Sequence, residues 1–265
     1  MDIIYKLVLL IPVIISSYLL FINFGVWSMF PIWLLFGLID VSRHKTMNLK
    51  LIKEYFFGKG FLTFVLSPLN LFADLLSFRN LHTFKIEDLP LGHQDEINAI
   101  VSSFDKNAQV IADRFKNNIE DNRTMLFYKW YGYKLEESID EFNNDYKYIK
   151  TIGVSLFRQK TSTSRHFGPL RMTYRILYNF NKVKKEGSYI EADGRINKWK
   201  YDPLFIFDDT LIHQSLNEED NLRYCAFIDI IRPSHFDNIM KSILTLVGFL
   251  LKNTRSVFYK NWKMI

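Results

Sequence analysis

The chain has 265 residues, enough for one well-packed domain with an appendage or for two small domains, and its formal net charge is +6. That balance bears on solubility and association, and since no stretch reads as a nucleic-acid-binding module, the apolar segments favour lipid over DNA or RNA as a partner. The single cysteine, Cys225, excludes a disulfide framework and a thiolate metal cluster within one chain; in the apolar run Tyr224–Ile231 it reads as a small core residue.

From Ile3 to Val41 only Lys6 and Asp40 are charged. A spanning helix needs roughly 20 apolar residues. Residues 1–45 are therefore expected to be a transmembrane anchor, either one long span or a short hairpin. Asn23, Gly25 and Pro31 are the natural break, giving Ile3–Phe24 and Val26–Val41. A cleaved signal peptide fits less well, because the stretch is too long and no small-residue cleavage site follows. Arg43, His44, Lys45, Lys50 and Lys53 mark the following flank as cytoplasmic, and a hairpin would put the rest of the chain there too. Residues 46–80 hold a second apolar patch, broken by Gly60 and Pro68. It reads as an interfacial or re-entrant segment, or as a helix packed on the domain.

From Gln94 to about Lys150 the chain reads mainly as helix, with Ile97, Ile100, Val101 and Phe104 at helical spacing. Beyond Lys150 short runs rich in Val, Ile, Phe, Tyr and Thr alternate with turn signals, as a barrel or sandwich requires. Strands are expected at Thr151–Arg158, Leu170–Phe180, Tyr189–Ala192, Arg195–Trp199, Leu204–Phe207 and Arg223–Ile231, with Asp193-Gly194 as a two-residue hairpin turn. Residues 236–265 read as an amphipathic basic-aromatic helix: apolar Ile239–Leu251, then Lys and Arg interleaved with Phe258, Tyr259 and Trp262. A helix packed on the barrel with a frayed basic tail is the alternative.

Two histidines fall within the β-rich part, His166 in HFGPLRMTYRIL and His213 at the end of FDDTLIH. A lone histidine is more often structural than a ligand, but two at strand ends lie where barrels gather site residues, and imidazole suits iron. His44, His82, His93 and His235 lie outside this stretch and read as surface or local hydrogen-bonding residues. Arg175 alternates away from Met172, Tyr174 and Ile176, and Arg223 shares a face with Cys225 and Phe227. A strand arginine ordinarily points to solvent; two of them in a barrel with histidines at its mouth would make a carboxylate clamp.

The stretch from about Ser155 to Pro233 resembles the aspartyl/asparaginyl β-hydroxylase family. His166 followed by Gly168-Pro169 looks like the family's first metal histidine and its turn, and FDDTLIH like its pre-ligand strand, with His213 as second ligand. Arg223 stands ten residues after His213, Arg175 nine after His166 and Ser155 eleven before it, matching positions that hold the cosubstrate 2-oxoglutarate; IDIIRP looks like the closing strand. The resemblance implies an α+β protein whose catalytic domain, residues 81–235, is a double-stranded β-helix (a cupin-like jelly roll) with flanking helices. It implies an Fe(II) cofactor, 2-oxoglutarate and O2 as cosubstrates, and hydroxylation of an unactivated C–H bond coupled to decarboxylation of 2-oxoglutarate to succinate. Two departures stand out. Gly168 fills the slot where a facial triad would carry a carboxylate, and Leu177 replaces a further family histidine. Asp208 and Asp209 offer either a residue that orients His213 or a plain turn.

The layout of N-terminal anchor, SPLNLF segment, hydroxylase domain and apolar-basic tail resembles the bacterial lipid A hydroxylase branch. That implies a fatty acyl chain of a membrane lipid as substrate, at the cytoplasmic face of the inner membrane. A peptidyl or free aspartate/asparagine hydroxylase is the alternative, and a non-catalytic membrane-bound barrel a second one.

Overall fold

The computed structural model describes residues 15, 18–19, 21–118, 121–135, 139–253, 259 and 261–265. Among them lie helices α1 (Met29–Val41), α2 (Leu49–Phe57), α3 (Phe61–Val65), α4 (Ser67–Leu76), α5 (Leu91–Lys106), α6 (Ala108–Arg114) and α7 (Asp237–Leu251). The strands are β1 (Thr83–Phe84), β2 (Arg123–Trp130), β3 (Tyr133–Lys134), β4 (Ile149–Phe157), β5 (Thr161–Ser162), β6 (Thr173–Asn179), β7 (Tyr189–Ala192), β8 (Arg195–Lys198), β9 (Leu204–Phe207), β10 (His213–Asn217), β11 (Arg223–Ile231) and β12 (Lys263–Met264).

Two sheets face each other. The larger runs β1-β9-β6-β11-β4-β2-β12 with β3 on β2, and the smaller β5-β10-β7-β8. All pairs are antiparallel except β12 with β2. This is the jelly-roll arrangement that the family resemblance implies. Strand β11 shows how it is built. Tyr224, Ala226, Ile228 and Ile230 point outward into a core shared with Ile97, Ile100 and Phe104 of α5 and Ile111 of α6. Arg223, Cys225, Phe227 and Asp229 alternate to the inner face, toward the small sheet. One strand thus buries apolar side chains against helices while its other face carries the chemistry. The β7–β8 turn is the two-residue form read from Asp193-Gly194, with φ 47° and 81°.

The segments flanking the barrel, and the stretch read as mainly helix, take the following form. The second half of the expected membrane hairpin, Val26–Val41, is a short 3-10 turn followed by the 13-residue α1, about 20 Å long. Its Asp40 is buried in a protein ion cluster rather than in lipid. Among the described residues no helix is long and apolar enough to cross a membrane, and most of Ile3–Phe24 lies outside them. Residues 49–76 form three helices packed on the barrel, leaving Leu49, Phe57, Phe61 and Leu62 exposed. The stretch 94–150 is not mainly helix: RTMLFYKW forms β2, paired with β4, because apolar side chains meet cores on both its faces and hide the alternation. The expected C-terminal helix stops at Leu251. It packs through Met240 and Leu244, while Tyr259 and Trp262 turn back onto the barrel.

Candidate active site

His166 and His213 exchange backbone hydrogen bonds across an isolated bridge, at 3.0 and 2.9 Å. Their rings lie 4.2 Å apart at 53°. Each Nδ1 faces the carbonyl oxygen two residues upstream, Ser164 at 2.7 Å and Leu211 at 2.8 Å. A nitrogen against a carbonyl must carry the proton, so each Nε2 keeps its lone pair for a metal. Burial lowers His166 to about 4 and puts His213 well below its ordinary value, so both rings are neutral.

A cavity of about 50 Å³ opens beside the two rings, and Ser155, His166, Arg175, His213 and Arg223 all line it. The five positions singled out in the sequence are brought together. At one end Arg223 is fully buried, between Phe157 (4.1 Å to the ring centroid) and Trp199 (5.5 Å). Its Nη2 donates to Ser215 Oγ at 2.9 Å, whereas Nε and Nη1 have no acceptor. Burial lowers the guanidinium to about 10, with Cys225 pulling the other way. Both nitrogens are free to donate to an anion in the chamber. Ser155 Oγ, one strand over, donates to Cys225 O at 3.1 Å.

Arg175 is already matched. It pairs with Asp209 at 2.8 Å and Asp229 at 2.6 Å, with its guanidinium 3.8 Å from the Phe227 ring centroid. Burial raises Asp209 to about 7, Arg175 pulling against it and Asp229 adding to it. The Asp209 carboxylate lies where a Cβ on Gly168 would go. Leu177, in the slot of the further family histidine, is an apolar wall of the cavity.

The loop before His213 is bolted from outside the barrel. Arg171, 1% exposed, reaches Asp40 of α1 at 2.5 Å, Asp74 of α4 at 2.9 Å and Asp208 at 3.1 Å. Arg43 reaches Asp208 at 3.0 Å, Arg232 reaches Asp74 at 2.9 Å, and Thr210 donates to Asp208. Burial works against the Asp208 carboxylate, but the three arginines hold it well below the usual range. His44, read from sequence as local or superficial, is buried, and its Nε2 accepts from Ile212 N at 3.2 Å, one residue before the second histidine.

The aspartyl/asparaginyl β-hydroxylase family matches residues 94–233, just over half of the chain. The chain belongs to that family. It is accordingly an iron(II)- and 2-oxoglutarate-dependent dioxygenase, with those two as cofactor and cosubstrate. No curated protein matches it. Among solved structures it is similar to a viral collagen prolyl hydroxylase from Paramecium bursaria Chlorella virus-1 in a 2OG complex, at 12% identity over 49% of this chain and 90% of that one, TM-score 0.34. It is also similar to a 2OG-Fe(II) oxygenase-family oxidoreductase from Burkholderia pseudomallei, at 14% identity over 36% of this chain and 48% of that one, TM-score 0.27. A prolyl hydroxylase from Trichoplax adhaerens, in complex with a hypoxia inducible factor peptide fragment, shows 16% identity over 36% and 47%, TM-score 0.27. These likenesses are distant, and the assignment rests on the family match.

The hydroxylase has a donor set that fits iron and its cosubstrate: two neutral imidazoles with free Nε2 atoms, and a buried guanidinium with two unused N–H groups. Among the described residues no cluster of three or more His, Cys, Asp or Glu side chains could hold a metal. Sequence reasoning missed Trp262, which lines the cavity from the C-terminal tail, and the loop-holding role of His44. Nothing in the sequence ties either residue to the barrel.

Proposed function

We propose that the hydroxylase acts on a fatty acyl chain of a membrane lipid such as lipid A, at the cytoplasmic surface of a bacterial inner membrane. His166 and His213 would hold iron through Nε2, and the backbone contacts at their Nδ1 atoms fix both tautomers and ring directions. Arg223 would take the distal carboxylate of 2-oxoglutarate on its unpartnered N–H donors, with Ser155 beside it. Arg175, held by Asp209 and Asp229, would stand as a fixed charge at the metal-proximal end. Iron, when bound, supplies the oxygen activation that no side chain can perform. Phe207, Phe227 and Leu177 make the walls apolar and keep water from the reacting centre. No side-chain base is required.

The observation that carries the lipid reading is exposed apolar surface beside a basic cleft. Trp27, Leu49 and Phe57 are 84%, 85% and 86% exposed, and Phe249 and Leu250 of α7 are also bare. Beside Leu49 a cleft of about 400 Å³ runs from α2 to Phe167 and Ile212, the neighbours of the two histidines. Its walls include Lys50, Lys59 and Arg165, which suit an anionic headgroup, while Leu51, Phe167 and Ile212 suit a chain. Mass spectrometry of lipid A from cells with and without the gene tests this: one added oxygen on an acyl chain is expected. An unchanged lipid A, with turnover of an aspartyl peptide instead, would replace this reading with the peptide hydroxylase.

A further inference from the structure

The Arg223 end of the cavity has a wall that the jelly roll itself does not supply. Trp262 arrives from the C-terminal tail, carried by β12, in which Lys263 pairs with Thr124 and Met264 with Met125. Ile265 N adds a bond to Met125 O at 3.2 Å. The Trp262 ring meets Phe157 edge-on at 5.2 Å, and the Arg123 guanidinium lies 5.3 Å from its centroid. Phe157 in turn lies against Arg223 at 4.1 Å.

Register fixes where along the cavity this happens. Arg123, Phe157 and Arg223 form one cross-strand row; Met125, Ser155 and Cys225 form the next; Phe127, Gly153 and Phe227 the third. Asp229 opposite Arg175, with Phe207 beyond, forms a later row, and it is Phe207 that touches the His213 ring at 5.1 Å. Trp262 therefore stands at the end opposite the histidines, behind the guanidinium with two unused N–H groups.

We infer that Trp262 is the residue that sets how long a 2-oxo diacid the hydroxylase accepts. With the keto end fixed at the metal and the distal carboxylate on Arg223, an acid one methylene longer must push its carboxylate toward Phe157 and the indole. Phe157 is anchored within β4, so the tail residue is the wall that substitution can move. One methylene against a close-packed wall discriminates by about tenfold or more. The inference rests on reading the Arg223 chamber as the seat of 2-oxoglutarate, and it makes the C-terminal tail part of the catalytic unit.

The test is calorimetric binding of 2-oxoglutarate and of 2-oxoadipate to the full chain loaded with Mn(II), which reads affinity without turnover. For Trp262→Ala the ratio of the two affinities should move by about tenfold toward the longer acid. Trp262→Phe should keep the native ratio, and Arg223→Ala should weaken both acids by one to two orders of magnitude. Trp262→Leu provides the same ratio if the alanine variant does not fold. An unmoved ratio in the folded small-residue variants, with Arg223→Ala still weakening both acids, would show the tail to be a structural strap only. Normal binding of both acids by Arg223→Ala would instead overturn the chamber assignment itself.

Discussion

The carboxylate of Asp209 fills the space that any side chain at Gly168 would enter, and Gly168 N donates to the Asp209 backbone oxygen at 2.6 Å. The slot in which a facial triad would carry its carboxylate is thus occupied from the opposite side of the site, by an acid whose charge is committed to Arg175. Glycine at residue 168 and aspartate at residue 209 are therefore one arrangement rather than two independent features. Gly168→Asp should clash with Asp209 and set two carboxylates against each other, costing about 1–3 kcal/mol of stability from overpacking alone. The double variant Gly168→Asp/Asp209→Ala should recover part of that loss and bind divalent metal more tightly than either single variant. Urea melts together with Co(II) titration would show it, and additive single-variant effects would break the link.

His166→Ala and His213→Ala should each abolish metal binding and succinate formation while leaving the fold intact. Both rings are neutral, and both sit on a bridge made by backbone atoms, which alanine preserves. Metal analysis of the purified variants, with circular dichroism as the folding check, decides this. Full turnover in a protein lacking both rings would place the site elsewhere.

The β-rich half was legible in the sequence for a physical reason, while the five positions that line one cavity were singled out by the family resemblance. Inner and outer faces alternate with period two, so Arg175 and Arg223 betray themselves against Tyr174, Ile176 and Ala226. Strand β2 was not legible, since RTMLFYKW is buried on both faces and shows no alternation. Nor was the fate of α1. Counted as lipid-facing, its apolar residues conceal that Asp40 pairs with Arg171, 131 positions away, a partnership that no local pattern records. Strand β10 escaped because His213-Gln-Ser-Leu-Asn carries polar side chains toward a site rather than a core.

Arg223→Ala should raise the 2-oxoglutarate requirement by one to two orders of magnitude, the scale of about 1.5–3 kcal/mol for a charged hydrogen-bonding group. The effect should fall on the KM for 2-oxoglutarate more than on kcat. Arg223→Lys should recover little, since a single ammonium cannot reproduce two N–H groups in a fork. Steady-state kinetics with the cosubstrate varied would settle the point, and an unchanged KM in both variants would remove Arg223 from the site.

Arg171→Met should destabilise the protein by about 3–5 kcal/mol, because it strands Asp40, Asp74 and Asp208 as buried charges with fewer partners. The acid side follows from the same site. Burial lowers His44, His93, His166 and His213 below the ordinary histidine value, His166 to about 4. The unfolded chain therefore takes up protons first on acidification. The histidine contribution to the stability of the metal-free protein is complete above about pH 6.5 and falls as pH drops from there toward about 4, while Asp209, raised to about 7, contributes in the opposite sense over the same window. Replacing His166 and His213 together with glutamine should flatten that fall without removing it, since His44 and His93 remain. Bound metal should shift it to lower pH by competing with protons for the two Nε2 atoms. Urea midpoints at pH 7, 5.5 and 4.5 (~ values spanning the titration), taken with and without Mn(II), would test both statements. An apoprotein profile left unchanged by the double glutamine replacement would mean that the two rings are not held neutral by burial.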